Sequence, residues 1–326
     1  MSDVAETSIA RIMLPDEANL AGNVHGGSIL KLIEEAALIC AQRFLVETIR
    51  EMQLRTSAER ASVRAALARV DTMSFKAPAH IGECMIATAR VAFTSARSIE
   101  VAVSVVAENA AGAKRHTNTA TLIYVPIELQ VTPTVAILGV VPPKKLVLSA
   151  EAEASGQARY AATKASRSES ASNGEELLKH PDRCELSQLV LQSDCDQFGF
   201  LRGGVLMKLM DNAAGICAFR HTRSNVVTAC VEAIDFRVPV RVGNLIKVVA
   251  LPSFASTRSL EIELCVSAEN LLTGDVTRSV TAFFIFVALT SAGAVKDVPP
   301  LTPTTPDAVA RFAEGARRYE LRKQRR

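Results

Sequence analysis

Residues 22–43 read GNVHGGSILKLIEEAALICAQR, and residues 199–220 read GFLRGGVLMKLMDNAAGICAFR. A constant shift of 177 positions relates the two stretches. The residues that recur unchanged, numbered as in the first copy, are Gly22, Gly26, Gly27, Lys31, Leu32, Ala36, Ala37, Ile39, Cys40, Ala41 and Arg43. The apolar ones recur at helical spacing behind a glycine pair, which predicts a deeply buried helix in each copy, over residues 28–44 in the first.

The polar residues of this segment differ between the copies. Asn23 is replaced by Phe200, His25 by Arg202, Glu34 by Asp211 and Glu35 by Asn212. A scaffold that is kept while its reactive groups diverge is what we expect of a duplicated enzyme with one working cleft.

The repeat continues well beyond the helix. Residues 70–78 correspond to 233–239, residues 94–100 (TSARSIE) to 255–261 (ASTRSLE), and residues 156–160 (GQARY) to 315–319 (GARRY). The shift is 161 at the TSARSIE block, so the first copy holds about 16 additional residues, which we place at 48–63. Similarity that keeps its order over several blocks indicates a duplication.

The chain of 326 residues is long enough for two domains that each bury a core. We predict an N-terminal domain at 1–147, a helical and flexible linker at 148–182, a C-terminal domain at 183–292 and a solvated, basic helical tail at 293–326. Alternating apolar residues predict strands at 65–75, 83–93, 98–108, 117–125 and 260–266. A curved antiparallel sheet around one central helix in each copy, an α+β fold, satisfies this pattern.

Composition excludes several classes of function. The net charge of +3 is small, and the basic C-terminal residues lack interleaved aromatics, so we expect no nucleic-acid partner. The seven cysteines form no CxxC pair and have no histidine at metal-ligand spacing, so we expect neither a metal site nor disulfides. The first residues, MSDVAETS, lack a signal peptide's apolar region, and no apolar run reaches membrane-span length. We therefore expect a cytoplasmic protein.

The motif at residues 15–35, PDEANLAGNVHGG followed by a lysine and a glutamate pair, resembles that of the hotdog-fold acyl-CoA thioesterases. Its tandem arrangement is similar to that of their two-domain cytosolic members, over residues 7–127 and 186–289. The resemblance implies tandem hotdog domains whose central helices pack antiparallel about a pseudo-twofold axis. It also implies a homotrimer with six hotdog units, and hydrolysis of fatty acyl-CoA, with long chains favoured, to fatty acid and coenzyme A without a cofactor.

Helix geometry limits how the polar residues can cooperate. Asp211 follows Gly204 by seven residues, roughly 10 Å along the axis, so it cannot easily work with its own helix N-terminus. An antiparallel partner helix brings its N-terminus opposite Asp211. One cleft then combines Asn23, His25, Gly26 and Gly27 with Asp211.

Each group in this cleft has a predicted role. The Gly27 N–H is expected to stabilise the oxyanion, and Asp211 acts either as general base for water or as nucleophile. Asn23 positions the water or the carbonyl, with a role in capping the helix or turning the loop before it as the alternative. Glycines at 26 and 27 let the backbone approach the substrate, and His25 is a loop residue or a pantetheine contact.

Two further sets of residues receive predictions. Arg97 and Arg258 lie in the repeated S-x-R-S turn and are either coenzyme A phosphate contacts or solvated strand ends. Phe200, Arg202 and Glu34 form the opposite cleft, which we expect to be inactive because phenylalanine cannot hydrogen-bond a water or an oxyanion.

Two other functions compete with hydrolysis. A hotdog hydratase or dehydratase acting on acyl thioesters would rely on His25, yet only one copy has a histidine there. A non-catalytic acyl-CoA sensor would have no need to retain Asn23, Gly27 and Asp211 together. Hydrolysis is therefore the leading hypothesis.

Overall fold

The computed structural model describes residues 6–51, 61–131, 135–169, 177, 180 and 183–324. Within these ranges the helices are α1 (Gly26–Glu51), α2 (Ala150–Glu169), α3 (Gly203–Thr222) and α4 (Pro306–Gln324). The strands are β1 (Glu6–Ile12), β2 (Ala61–Phe75), β3 (Cys84–Thr94), β4 (Ile99–Glu108), β5 (Lys114–Gln130), β6 (Ala136–Val140), β7 (Cys184–Leu189), β8 (Asn225–Phe236), β9 (Asn244–Ala255), β10 (Leu260–Asn270), β11 (Val276–Leu289) and β12 (Val295–Lys296).

One antiparallel sheet runs through both copies. Its strand order is β1-β3-β4-β5-β2-β8-β11-β10-β9-β7, with β6 beside β5 and β12 beside β11. Counted inward from either edge, each strand of the first copy corresponds to the equivalent strand of the second, from β1 and β7 to β2 and β8. This is expected for two units related by a twofold axis. The predicted α+β fold with tandem hotdog domains is confirmed, and the two sheets additionally join into one.

The junction between the copies is the antiparallel pairing of β2 with β8, which runs from Arg69 opposite Asp235 to Ser74 opposite Cys230. The Arg69 guanidinium donates to both carboxylate oxygens of Asp235, at 2.8 and 2.9 Å. Both side chains are only 3% exposed. Because a buried charge without a partner is costly, this ion pair ties the two copies together at their seam.

Helices α1 and α3 lie side by side at the centre of the molecule. Their contact is close because glycines face backbone: a Cβ on Gly27 would lie 2.9 Å from the Lys208 Cα, and one on Gly204 would lie 3.0 Å from the Lys31 Cα. The glycine pairs were predicted to let substrate approach the backbone. That reason stays a prediction, and the structure adds a second one for Gly27, whose missing side chain is required by the packing of the neighbouring helix.

The apolar positions of α1 face the core as its periodicity predicts. Leu32, Ile33, Ala36, Ala37 and Cys40 are fully buried. The helix is longer than predicted at both ends, since it begins at Gly26 and extends to Glu51. The predicted insertion at 48–63 thus begins as helix and ends as strand, and its residues 52–60 lie outside the described part of the chain.

Helices α2 and α4 pack on the outer face of the sheet in equivalent ways. Gly156 lies against the Phe93 ring and Gly315 against Phe254. Arg159 pairs with Glu100 at 2.8 Å, and in the second copy Arg318 pairs with Glu261 at 2.7 Å.

These contacts correct two predictions. The linker and tail segments do form helices, but neither helix is simply solvated, because Arg159 of α2 and Arg318 of α4 bind glutamates of the sheet. The predicted helical and flexible linker at 148–182 is described without a break only as far as Glu169, where it still belongs to α2. None of the described helices combines the length and apolar character needed to cross a bilayer.

Candidate active site

Asp211 lies in the third turn of α3, where its side chain is only 3% exposed. The backbone N–H of Gly27, at the first turn of α1, donates a hydrogen bond to its Oδ2 at 2.7 Å. The two groups are 184 positions apart in the chain. The antiparallel arrangement of the central helices thus places the N-terminus of one on the carboxylate of the other.

A second donor comes from the strand that follows α3. The hydroxyl of Thr228, in β8, donates to Asp211 Oδ1 at 2.7 Å. No motif in the sequence marks Thr228. A signal does exist in the comparison of the copies, because the 161-residue shift aligns Thr228 with Leu67. At this position, as at Asn23, only one cleft carries a polar group.

The surroundings of Asp211 act on its charge in opposite directions. Burial raises the pKa of this carboxyl, while His25, the Thr228 hydroxyl and the Gly27 N–H oppose that rise, in that order. The His25 Nδ1 lies 3.4 Å from Asp211 Oδ2. His25, predicted as a loop residue or pantetheine contact, is therefore part of the electrostatic environment of Asp211.

The predicted oxyanion donor is already engaged. In addition to its bond to Asp211, the Gly27 N–H donates to His25 Nδ1 at 3.0 Å. Gly26 lies beside the same carboxylate, and a Cβ there would lie 2.7 Å from the Thr228 hydroxyl oxygen. In this structure the Gly27 N–H is thus bonded to Asp211 and His25, and its role in stabilising the oxyanion stays a prediction.

Asn23 lies in the loop before α1, two residues from His25. The turn of this loop is formed by Asn19, whose Oδ1 accepts hydrogen bonds from the backbone N–H groups of Ala21 and Asn23. Asp196 does the same for Phe198 and Phe200 in the second copy. The Asn23 amide side chain is thus not the turn-forming group that the alternative prediction required.

The opposite cleft repeats this geometry with different chemistry. Glu34 in α1 is buried, and the Gly204 N–H at the start of α3 bonds to it. Burial raises the pKa of Glu34 to about 7. Glu34, Phe200 and Arg202 line one cavity of about 280 Å³, whose other walls are mostly apolar. The structure therefore brings the three predicted residues of this cleft together.

Phe200 is held firmly in this cleft. Its ring is buried and lies between two guanidinium groups, Arg64 at 5.2 Å and Arg241 at 4.5 Å from the ring centre. Arg202 bonds to the carbonyl oxygen of Ser193 at 3.0 Å. Phe200 thus packs against arginines and Arg202 fixes a loop carbonyl, contacts that Asn23 and His25 do not make with the described residues of the first cleft.

Arg97 and Arg258 do not join the cleft around Asp211. Arg97 lies in the exposed turn between β3 and β4, and Arg258 lies in the equivalent turn between β9 and β10. The strand β3 runs alongside α1, and its residue Val91 contacts Cys40, which lies about four helical turns after the start of α1. The loop that carries Arg97 follows Val91 and therefore lies still farther along the helix. Within the chain, Arg97 is therefore remote from Gly27.

The chain is similar to known proteins along most of its length. The family model of the thioesterase superfamily matches the chain twice, at residues 21–113 and 198–274. The cytosolic acyl coenzyme A thioester hydrolase of Rattus norvegicus is 40% identical over 98% of this chain and 84% of its own length. The Homo sapiens protein of the same name is 41% identical over 97% of this chain and 83% of its own length.

One solved structure shows the same tandem fold at low identity. It is described as an oleoyl thioesterase from Lactobacillus plantarum, and it matches with a TM-score of 0.55 at 9% identity, covering 89% of this chain and 98% of its own. The duplicated family match, the near full-length relatives and the shared fold lead to one conclusion: the chain belongs to the thioesterase superfamily.

Proposed function

We propose that the chain hydrolyses fatty acyl-CoA to free fatty acid and coenzyme A in a single cleft formed by α1 of the first domain and α3 of the second. The observation that carries the proposal is the Asp211 carboxylate, held by Gly27 of one domain and Thr228 of the other. The substrate class is supported by the names of the near full-length relatives, which are acyl coenzyme A thioester hydrolases.

The hydrogen bonds to Asp211 prepare it for reaction with a thioester. Each oxygen accepts one bond and keeps a further lone pair for a water or for the substrate. As a general base, the carboxylate takes a proton from water as the water oxygen attacks the carbonyl carbon. As a nucleophile, it attacks that carbon itself and forms an anhydride that water then opens. In both routes the C–S bond breaks and the coenzyme A sulfur leaves as a thiolate.

Asn23 and the N-terminus of α1 complete the site. The Asn23 amide supplies a donor for the carbonyl oxygen or an acceptor for the attacking water. The helix N-terminus contributes a partial positive charge that favours the negative charge developing in the transition state. The Gly27 N–H acts in this scheme by fixing Asp211.

The asymmetry of the two clefts supports one working site per chain. The second cleft keeps an acid, Glu34, but has Phe200 in place of Asn23 and Leu67 in place of Thr228. Glu34, with its pKa raised to about 7, is also less ready than an ordinary carboxylate to carry charge near neutral pH. We propose that this cleft does not hydrolyse thioesters.

The cofactor, the location, the acyl chain length and the assembly are proposed on less evidence than the reaction itself. Hydrolysis needs only water and the side chains named above, so we propose no cofactor. The relatives' names support a cytosolic location. The family resemblance supports a preference for long acyl chains and a trimer of six hotdog units. Mass photometry of the purified chain tests the trimer.

The deciding experiment measures coenzyme A thiol release from palmitoyl-CoA by the purified protein. Release that Asp211→Asn abolishes supports hydrolysis. Tight binding of palmitoyl-CoA without release would instead establish a sensor. Water addition to an enoyl-CoA with the thioester intact would establish a hydratase. Mass spectrometry of Asp211 after a single turnover in H₂¹⁸O separates the two routes, because only the anhydride route can place label in its carboxylate.

A further inference from the structure

A cavity of about 610 Å³ lies at the C-terminal end of α3, between β7 and the segment that leads into α4. Its basic lining residues are His180, Arg183, Arg220, His221, Arg223 and Arg311. No carboxylate lies among its lining residues in the described part of the chain. The cavity shares none of its described lining residues with either of the two clefts.

Part of this positive charge is left uncompensated. Arg311 pairs with Glu263 at 3.3 Å and Arg183 with Glu185 at 3.1 Å. Among the described residues, no carboxylate lies within ion-pair distance of Arg220 or Arg223. A concave surface with an excess of one charge raises the local concentration of oppositely charged solutes. The cavity therefore favours small anions.

Two thiols lie in the wall of the same cavity. Cys184 Sγ accepts a hydrogen bond from Arg220 Nη1 at 3.3 Å and another from the Cys217 S–H. The Cys217 hydrogen bond and the Arg220 charge lower the pKa of the Cys184 thiol to about 6, while the pKa of Cys217 is raised. The Arg220 guanidinium and the Cys217 thiol thus both favour the thiolate form of Cys184.

The first copy provides an internal comparison. The equivalents of Cys184, Cys217 and Arg220 are Thr7, Cys40 and Arg43. There Arg43 Nη1 donates to the Thr7 hydroxyl at 3.2 Å. Because a hydroxyl performs the same structural task in the same fold, packing does not require a thiol at position 184. The thiol pair beside a cationic group is a property of the second copy.

We propose that Cys184 is a site of thiol–disulfide exchange with anionic, low-molecular-weight disulfides, with Cys217 as the resolving thiol. Reactive thiols in proteins occur as thiolates in electropositive surroundings. Cys184 and Cys217 are 4% and 3% exposed, and both line the cavity, which is the side from which a small disulfide would approach. The phosphate- or carboxylate-bearing half of the disulfide would lie among the arginines of the cavity. Its sulfur would then be presented to Cys184.

The exchange balances in two steps. The Cys184 thiolate attacks one sulfur of the disulfide RSSR, forming Cys184–S–S–R and expelling RS⁻. Cys217 then gives up its proton and attacks the Cys184 sulfur, expelling a second RS⁻ and leaving a Cys184–Cys217 disulfide. Two protein thiols are oxidised and one RSSR is reduced to two thiols. The product disulfide ties β7 to α3, the helix that carries Asp211.

The test follows the intact mass and tryptic peptides of the full-length protein after exposure to three disulfides at pH 6.5. Glutathione disulfide and coenzyme A disulfide are anionic, and cystamine, a cationic disulfide, is the control. We expect either anionic compound to oxidise Cys184 at least about tenfold faster than cystamine, with the difference shrinking at high salt. The faster of the two anionic compounds identifies which source of anionic charge the cavity prefers.

Three variants make the outcome decisive. Cys184→Thr copies the first domain's residue, so it should fold normally and lose the fast reaction. Cys217→Ser should stop at the mixed disulfide, which then accumulates. Arg220→Gln should slow the reaction about tenfold at pH 6.5 because less thiolate is present. Oxidation of another cysteine, unchanged rates in Cys184→Thr, or faster reaction with cystamine would overturn the proposal. Because masses are read, these results do not depend on thioester hydrolysis.

Discussion

The carboxylate of Asp211 belongs to the second domain, but the backbone N–H that holds its Oδ2, at 2.7 Å, belongs to Gly27 of the first. In the mechanism proposed above, neither copy therefore contains a complete site. The reverse pair, Gly204 with Glu34, has Phe200 and Leu67 where the first cleft has Asn23 and Thr228, so the proposal assigns hydrolysis to one cleft.

The first prediction concerns which acid is used. Asp211→Asn and Asn23→Ala should each lower the rate of coenzyme A release from palmitoyl-CoA by about a hundredfold or more, because each removes a group that acts in the transition state. Glu34→Gln should remain near the wild-type rate. An equally damaging Glu34→Gln would show that both clefts react.

A second prediction concerns the pH profile of that reaction. The Thr228 hydroxyl opposes the burial that raises the pKa of Asp211, so removing the hydroxyl should raise this pKa further. The reactive carboxylate form is lost as pH falls through its pKa. The acid limb of kcat/KM in Thr228→Val should therefore move to higher pH, and Thr228→Ser should restore it. A limb that does not move would mean that Thr228 only packs.

Glu34 provides a stability test. Its pKa is raised from 4.5 to about 7 in the folded protein, so the folded state binds the proton more tightly than the unfolded state. The resulting stabilisation is complete below pH 4.5 and is lost as pH rises to about 7. Glutamine, which stays neutral, avoids that loss.

Glu34→Gln should accordingly match the wild type near pH 4 and exceed its free energy of unfolding by about 3 kcal/mol at pH 8, in urea titrations. The neighbouring Glu35→Gln, at a partly exposed position, serves as control. A constant difference between wild type and Glu34→Gln at all pH values would contradict the expectation.

The helix contact makes a prediction about glycines. A methyl group on Gly27 would lie 2.9 Å from the Lys208 Cα, which belongs to backbone and cannot rotate away. Gly27→Ala should destabilise the protein by about 1–3 kcal/mol. Gly215 in α3 has open space at its Cβ position, so Gly215→Ala should stabilise by about 0.5–1 kcal/mol. Thermal melts of both variants check the pair, and equal shifts would contradict it.

The sequence predicts the central part of the fold well, because the repeat is visible in it. Comparing the copies identifies the central helices and several strands, and it predicts that Asp211 lies opposite the N-terminus of α1, as the hydrogen bond between Gly27 and Asp211 at 2.7 Å shows. The same comparison, applied to the strands, would have revealed Thr228 against Leu67. It was not sufficient for Gly27, whose role depends on the position of the Lys208 backbone.

The outer helices show where local sequence fails. Their basic residues are typical of a solvated face, and the glutamates that neutralise them lie 57 positions away for Arg318 and 61 and 90 positions away for Arg322. Likewise, nothing in the strand pattern distinguishes β2 and β8 as strands that pair with each other. Partners of this kind are set by tertiary packing, which periodicity within one segment does not report.

The pairing of β2 with β8 has a consequence for the history of the chain. Each copy uses the other to cover what would otherwise be an open sheet edge, and each holds one half of the Arg69–Asp235 pair. A single copy alone would expose that edge, a template for aggregation, together with an unpaired charge. Cutting the linker should therefore leave the halves attached. Deleting one copy would therefore leave the other in need of a new partner for its edge strand and for its half of the ion pair.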